Sequence, residues 1–383
     1  MIPCNGHPFL EYLLEQMIMQ GVDSFLLLTG YLGEQIQEYF RDGSQWGWKI
    51  DYSHGPVEWD TGRRLWEARP RLEESFLLLY SDNFVPFPLQ KMLTRHTELG
   101  LPLTIMVTPK SPGNLALGSE GVVRTYSCQR SRELPYVEIG YMIVDRDRVF
   151  NYFPQPDCGF FQVLHQLAAQ QQICAWIQQD AYHSISDPER WMKAVDYLKP
   201  KKILLIDRDG VINRKASRRK YIKTWEEFEW IPGTRQAMQR LACEGFKFIV
   251  ISNQAGIARG MVDPTELERI HINMKTELAK DGVEILNIYI CPHHWDEGCS
   301  CRKPNPGMLF QASREHLFRL DKTLFIGDDP RDCQTAWNAG CSSIFLGDSS
   351  KLMALPDNQQ PDCIVSELES SIDFTLQFFQ QYI

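Results

Sequence analysis

The sequence predicts two α/β domains in tandem, an incomplete Rossmann-like one followed by a doubly wound parallel sheet. Three observations carry this. The first ~195 residues alternate apolar runs with amphipathic helical stretches. The run Ile203–Ile206 is continuously apolar, as a strand buried on both faces requires, and ends abruptly in Asp207-Arg-Asp209-Gly. Two later apolar runs end in polar clusters as well: 248–251 in Ser252-Asn253-Gln254 and 323–326 in Gly327-Asp328-Asp329. A chain of 383 residues is long enough for two domains that each bury a core.

In order, 9–20 reads as helix, 24–29 as strand, 33–40 as helix and 75–80 as strand. A helical segment over 187–198 then runs into Lys199-Pro200-Lys201-Lys202, immediately before the strand that ends in Asp207. The expected division is therefore 1–198 and 199–383. No internal repeat relates the halves, and their motifs differ, so they are two different modules.

The net charge of −9 argues against a nucleic-acid surface, because neutralising phosphates needs a basic face. The exception is the basic stretch 214–220, read either as a flap over an anionic substrate or as a solvated loop. No stretch reaches the ~20 apolar residues of a membrane span and no signal core opens the chain, so a cytoplasmic location is expected. Eleven cysteines, three of them crowded with histidine between 291 and 301, point to a metal site in a reducing compartment.

In an open α/β sheet ligands sit at the carboxyl ends of strands, which puts Asp207 and Asp209 at the mouth of a site. One carboxylate can attack phosphorus while the other shuttles a proton, so the pair suggests phosphoryl chemistry. Lys303 would neutralise a phosphate as a point charge, and Arg302 would grip one bidentately. Cys291, Cys299 and Cys301, with His293 or His294, have the spacing of a closed tetrahedral zinc. Such a Zn²⁺ would stiffen the loop that delivers Arg302 and Lys303 and would do no chemistry.

Asp207-x-Asp209, Ser252, Lys303 and Gly327-Asp328-Asp329 resemble, in order, the four motifs of the haloacid dehalogenase (HAD) superfamily, over residues 201–350. The resemblance implies Asp207 as nucleophile and Asp209 as general acid and base. It implies Mg²⁺ held by Asp207, the Asp209 carbonyl and Asp328, and places Ser252, Asn253, Gln254, Arg302 and Lys303 around the substrate. Asp-Arg-Asp-Gly, the segment 252–260 and Cys-Pro-His-His leading to Cys-x-Cys-Arg-Lys-Pro resemble the D-glycero-D-manno-heptose 1,7-bisphosphate phosphatases and the related histidinol phosphatases. The heptose enzymes remove the C7 phosphate and leave heptose 1-phosphate for nucleotide activation. Two features depart from that pattern: Asp329 stands where many relatives carry lysine, and the segment after Asn213 is longer and more basic.

In the first half, Asn5-Gly-His-Pro-Phe-Leu, Thr29-Gly-Tyr-Leu-Gly-Glu and Leu77-Leu-Leu-Tyr-Ser-Asp82 resemble the sugar-phosphate nucleotidyltransferases, with Asp82 at their metal-binding aspartate. The sequence starts after that family's first strand and Gly-rich phosphate loop, and Ser184 stands where relatives place a second metal-binding aspartate, with Asp187 out of register. Either a further segment or a partner chain completes this domain, which would then act as a heptose-1-phosphate nucleotidyltransferase beside the phosphatase, or it serves as a sugar-phosphate-binding or partner-binding scaffold. A fusion of these two resemblances fits successive heptose intermediates on the way to surface polysaccharide such as lipopolysaccharide, with a small sugar phosphate as substrate, and counts against histidinol phosphate.

Overall fold

The computed structural model describes residues 1–217 and 220–382. Arg218 and Arg219, part of the expected basic flap, lie outside the described residues. The chain forms two compact units, Met1–Val195 and Asp196–Ile383, which divide inside the helix Pro188–Leu198, slightly ahead of the expected position. No helix among the described residues is long and apolar enough to cross a membrane.

Unit 1 is built on a six-stranded mixed sheet. Its centre is Leu103–Pro109, parallel to Ile173–Ile177 and antiparallel to Tyr136–Asp145, which also pairs with Ser75–Leu79. The alternation of strands and helices predicts α/β without revealing the antiparallel pairs, because an apolar run reads the same in either direction. Ser24–Thr29 stands outside this sheet and pairs, among the described residues, only with Lys49–His54. Phe25–Leu28 and Phe76–Leu79 are wholly apolar yet only partly buried, as strands with one open edge are.

Unit 2 is a six-stranded, all-parallel sheet in the order Ile285–Cys291, Lys247–Asn253, Ile203–Ile206, Leu324–Gly327, Ser342–Leu346, Cys363–Val365. Successive side chains of a strand point to opposite faces, and both faces here are covered. Leu204, Ile206, Phe248 and Val250 pack into one core with the helices Thr234–Cys243 and Pro264–Lys280. Ile203, Leu205, Ile249 and Ile251 pack into the other with Gly307–His316 and Pro330–Ala339. From Ile203–Ile206 the chain moves outward on one side, through Lys247–Asn253 to Ile285–Cys291, then returns to Leu324–Gly327 on the other side. That reversal opens a crevice above the carboxyl end of Ile203–Ile206.

Candidate active site and metal cluster

The crevice receives Asp207, whose backbone N–H donates to the Ile326 carbonyl at 2.9 Å and so continues the ladder to the top of the sheet. The Arg208 N–H donates to Asp207 Oδ1 at 2.7 Å. Gly210 then turns the chain at φ +99°; a Cβ there would stand 2.2 Å from Asp328 Oδ2, so only glycine permits this approach.

Lys303 lies beneath, with its side chain 4% exposed. Its Nζ is 3.0 Å from Asp207 Oδ2 and 2.7 Å from Asp332 Oδ1, and it donates to the Ile251 carbonyl at 3.2 Å. Burial disfavours the ammonium, but the two carboxylates outweigh it and hold Lys303 well above the ordinary lysine range. Asp332 is the acid that the sequence reading missed. It sits in the first turn of Pro330–Ala339, where Asp329 caps the helix and the Asp329 N–H donates to Asp332 Oδ2 at 3.1 Å. Its signal was the spacing Gly327-Asp328-x-x-x-Asp332, which places a second carboxylate one helical turn behind the strand end. The unexpected Asp329 is itself neutralised, since Arg331 donates to both its oxygens at 2.8 Å.

Asp207, Asp328 and Asp332 bring carboxylate oxygens within 4.8 Å of one another. Burial, reinforced by these acids against Lys303, pushes the Asp207 carboxyl up to about 7. Asp328 is also raised by burial, and its Oδ1 is buried without a hydrogen-bond partner. An orphaned carboxylate oxygen facing other carboxylates is a fitting donor set for Mg²⁺, which binds through a few carboxylates plus phosphate and water oxygens. The Asp209 carboxylate is not in this group. Arg208 Nη2 donates to both its oxygens at 3.0 and 2.9 Å, Asn213 Nδ2 to Oδ1 at 3.0 Å and Gln254 Nε2 to Oδ2 at 2.9 Å. Burial works to raise its pKa, yet Arg208 and these donors hold it below the usual carboxylate range. Arg208 is 1% exposed, and its Nη1 lies 3.1 Å from His271 Nε2. Burial and then Arg208 push that imidazole down to about 3, keeping it a neutral acceptor.

The other expected substrate contacts divide. Ser252 Oγ accepts from Gln254 Nε2 at 2.8 Å, leaving its own proton to donate. Asn253 clamps the Lys303 backbone: its Nδ2 donates to the Lys303 carbonyl at 3.2 Å and its Oδ1 accepts from the Lys303 N–H at 3.1 Å. Gln254 ties Ser252 to Asp209. Their amides are thus engaged inside the protein, where they position Lys303 and Asp209. Arg302 Nη1 is buried without a hydrogen-bond partner, a guanidinium nitrogen left for an anion. Of the basic stretch, Lys215 reaches the crevice, with Nζ 2.7 Å from Asp328 Oδ2.

Beside this crevice, Cys291, His293, Cys299 and Cys301 converge. Neighbouring ligand atoms are 3.6 Å (Cys291–Cys299), 3.5 Å (Cys299–Cys301), 3.2 Å (His293 Nδ1–Cys301) and 3.7 Å (Cys291–His293 Nδ1) apart. A tetrahedral zinc with ~2.3 Å bonds to sulfur needs S···S edges of roughly 3.8 Å, so the four atoms fit that ion. His294 turns away, its Nδ1 3.2 Å from Asp296. Cys291 pairs in register with Asn253, so the cluster and the Lys303 clamp share one strand end.

In unit 1, Asp82 is raised by burial and accepts from the Asn83 side chain at 3.0 Å. Ser184 pairs opposite Asn83, and its Oγ accepts from Arg190 Nη1 at 3.4 Å. Asp187 accepts from the Arg190 backbone N–H at 2.9 Å, at the start of Pro188–Leu198, so its carboxylate serves the helix end. The strand segment carrying Asn83 thus faces Ser184 where the resemblance expected a second acid, while Asp82 and the buried carboxylate of Glu138 repel each other. A cleft of about 230 Å³ is lined by Lys110, Tyr182, His183, Ser184, Arg190 and Lys193. Sequence reasoning also missed Glu138, whose carboxylate accepts from the Gly140 N–H and whose pKa burial pushes up to about 7.

Two family models match separate parts of the chain. A HAD-hydrolase-like family model matches residues 300–371 and a nucleotidyl transferase model matches residues 1–118. The D-glycero-beta-D-manno-heptose-1,7-bisphosphate 7-phosphatase of Pseudomonas putida is 40% identical over 145 residues, covering 38% of this chain and 82% of the relative. The corresponding alpha-anomer enzyme of Mycobacterium bovis is 35% identical over 153 residues, covering 38% and 80%. Among solved structures, D,D-heptose 1.7-bisphosphate phosphatase from B. bronchiseptica, complexed with magnesium and phosphate, is 34% identical, covers 46% of this chain and 98% of its own, and aligns with a TM-score of 0.43. Through its second unit the chain belongs to the HAD-like phosphatase family of the heptose-1,7-bisphosphate 7-phosphatases, with a nucleotidyl transferase-like unit ahead of it.

Proposed function

We propose that unit 2 removes the C7 phosphate of D-glycero-D-manno-heptose 1,7-bisphosphate through an aspartyl-phosphate on Asp207, supplying heptose 1-phosphate for nucleotide activation. The observation that carries this is the convergence of Asp207, Lys303, Asp328 and Asp332 above the carboxyl edge of the parallel sheet, in a unit 40% identical over 145 residues to a 7-phosphatase. Mg²⁺ held by Asp207 and Asp328 would supply positive charge that offsets repulsion between carboxylates and phosphate.

Asp207 attacks phosphorus, and the bond from phosphorus to the sugar C7 oxygen breaks with its electron pair on that oxygen. Asp209 supplies the proton, then takes one from the water that cleaves the acyl phosphate. For this it must leave the Arg208, Asn213 and Gln254 contacts and turn to the substrate, because those donors hold its carboxyl ionised in the present arrangement. Lys303, the Ser252 hydroxyl and Arg302 hold phosphoryl oxygens, where fixed donors stabilise the charge that develops in transfer. Asn253 and Gln254 position these groups. Cys291, His293, Cys299 and Cys301 would hold a Zn²⁺ that would stiffen the loop carrying Arg302 and Lys303, in a reducing cytoplasm and a route toward surface polysaccharide.

For unit 1 we propose sugar-phosphate binding, favoured by the cation-rich cleft and by the serine at position 184. The open edges of Ser24–Thr29 and Ser75–Leu79 would accept a further strand, whatever its source. Phosphate release should be measured with Mg²⁺ and with EDTA, using both anomers of the heptose bisphosphate beside histidinol phosphate. Heptose preference with loss in EDTA is expected, and faster turnover of histidinol phosphate would sink the substrate assignment. Pyrophosphate formed from nucleoside triphosphate and heptose 1-phosphate would replace the binding role of unit 1 with nucleotidyl transfer.

A further inference from the structure

Lys215 belongs to none of the four motifs, and the chemistry above gives it no task. Its side chain is 42% exposed while its partner Asp328 is 11% exposed, so the ammonium comes in from the solvent side to a sheltered carboxylate. Its stem runs over the glycine turn: a Cβ on Gly210 would stand 2.5 Å from Lys215 Cε. Lys303 lies against Asp207 and Asp332, and Lys215 lies against Asp328. Each member of the acidic cluster thus has a lysine close by, one built in and one on a loop. A divalent cation held by Asp207 and Asp328 must come to the same carboxylate that Lys215 holds at 2.7 Å. An ammonium and a dication that share one carboxylate within about 4 Å repel strongly in a partly desolvated crevice.

We propose that Lys215 is a tethered cation that competes with the divalent metal for Asp328. It neutralises Asp328 when no metal is bound, and metal loading displaces it toward the mouth, where an anionic substrate enters. A loop lysine with a long flexible stem suits this exchange, whereas buried Lys303 is fixed from several sides. The inference rests on Asp207 and Asp328 as the metal-holding pair.

The test is direct titration of the full chain with Mn²⁺, with free ion followed by electron paramagnetic resonance and no substrate present. Wild type, Lys215→Met, Lys215→Gln, Lys215→Arg and Asp328→Asn are compared. Both neutral variants are expected to bind Mn²⁺ roughly tenfold more tightly than wild type, from the loss of one nearby positive charge, with Lys215→Arg close to wild type. If wild type binds and both neutral variants match it, Lys215 does not compete and the proposal is overturned. If Asp328→Asn binds as wild type does, the metal assignment fails first and the proposal falls with it. The two failures are therefore distinguishable.

Discussion

Asp207 and Asp82 both follow apolar strands, and their surroundings differ in the charges set around each carboxylate. Around Asp207 stand a buried lysine, two further carboxylates and an orphaned carboxylate oxygen. Near Asp82 stand Asn83, Ser184 opposite it in the strand pair, and the buried carboxylate of Glu138, with no lysine or arginine hydrogen-bonded to Asp82 among the described residues. Both aspartates are raised by burial. Burial alone therefore does not distinguish the two. What differs is the partner set: Asp207 has a buried cation beneath it and two further carboxylates beside it, so under the proposed phosphoryl transfer the charge that develops would meet compensation.

The comparison breaks most sharply at the nucleophile. Asp207→Asn should lower phosphate release by at least ~10³-fold with an unchanged circular dichroism spectrum, because it deletes the attacking group and little else. Residual activity near wild type would remove Asp207 from the mechanism. Next comes the thiol cluster, which unit 1 lacks among its described residues. Cys299→Ser should reduce bound zinc and melting temperature together, since metal binding and folding are linked. Full stability with no zinc in the wild type would dismiss the ion.

Unit 1 has its own signature in Glu138. The folded protein keeps this carboxyl protonated to about 7, against an ordinary value of 4.5, so the native state binds the extra proton between those values. The contribution of this carboxyl to stability is therefore fully present below about 4.5 and is lost as pH rises through about 7, by about 3 kcal/mol in all. Glu138→Gln should flatten that slope in urea titrations at several pH values, and an unchanged slope would assign the pH dependence elsewhere. Asp332→Asn should cost about 10- to 30-fold in kcat, because Lys303 loses one of the carboxylates that fix it and fixed donors carry much of such catalysis. Asp82→Asn, finally, should change phosphate release by less than about twofold, since the chemistry proposed for unit 2 does not use it.

Much of this contrast was legible before any coordinates. The Asp207-x-Asp209 strand end, Ser252, Lys303 and Gly327-Asp328 could be read because a buried parallel strand must be continuously apolar and its functional residues follow immediately. Ser184 and its register problem were legible too. Asp332 was not, because it lies in a helix where an acid near the N-terminus reads as a dipole or capping residue, as in part it is. Nor was the inward engagement of Asn253: an amide at a strand end looks the same in sequence whether it faces substrate or clamps the Lys303 backbone. Lys215 was visible only as one of several basic residues, since nothing local says which reaches Asp328. In unit 1 the antiparallel neighbours of Tyr136–Asp145 were hidden for a similar reason: strand direction is a property of the connections, not of the run itself.

The most direct test of the central claim is a rapid acid quench of the full chain turning over heptose 1,7-bisphosphate labelled with ³²P at C7. The account predicts transient label on the peptide that contains Asp207, released by hydroxylamine as an acyl phosphate is, and no label in Asp207→Asn. Steady phosphate release with no protein-bound label, or label on another residue, would contradict it.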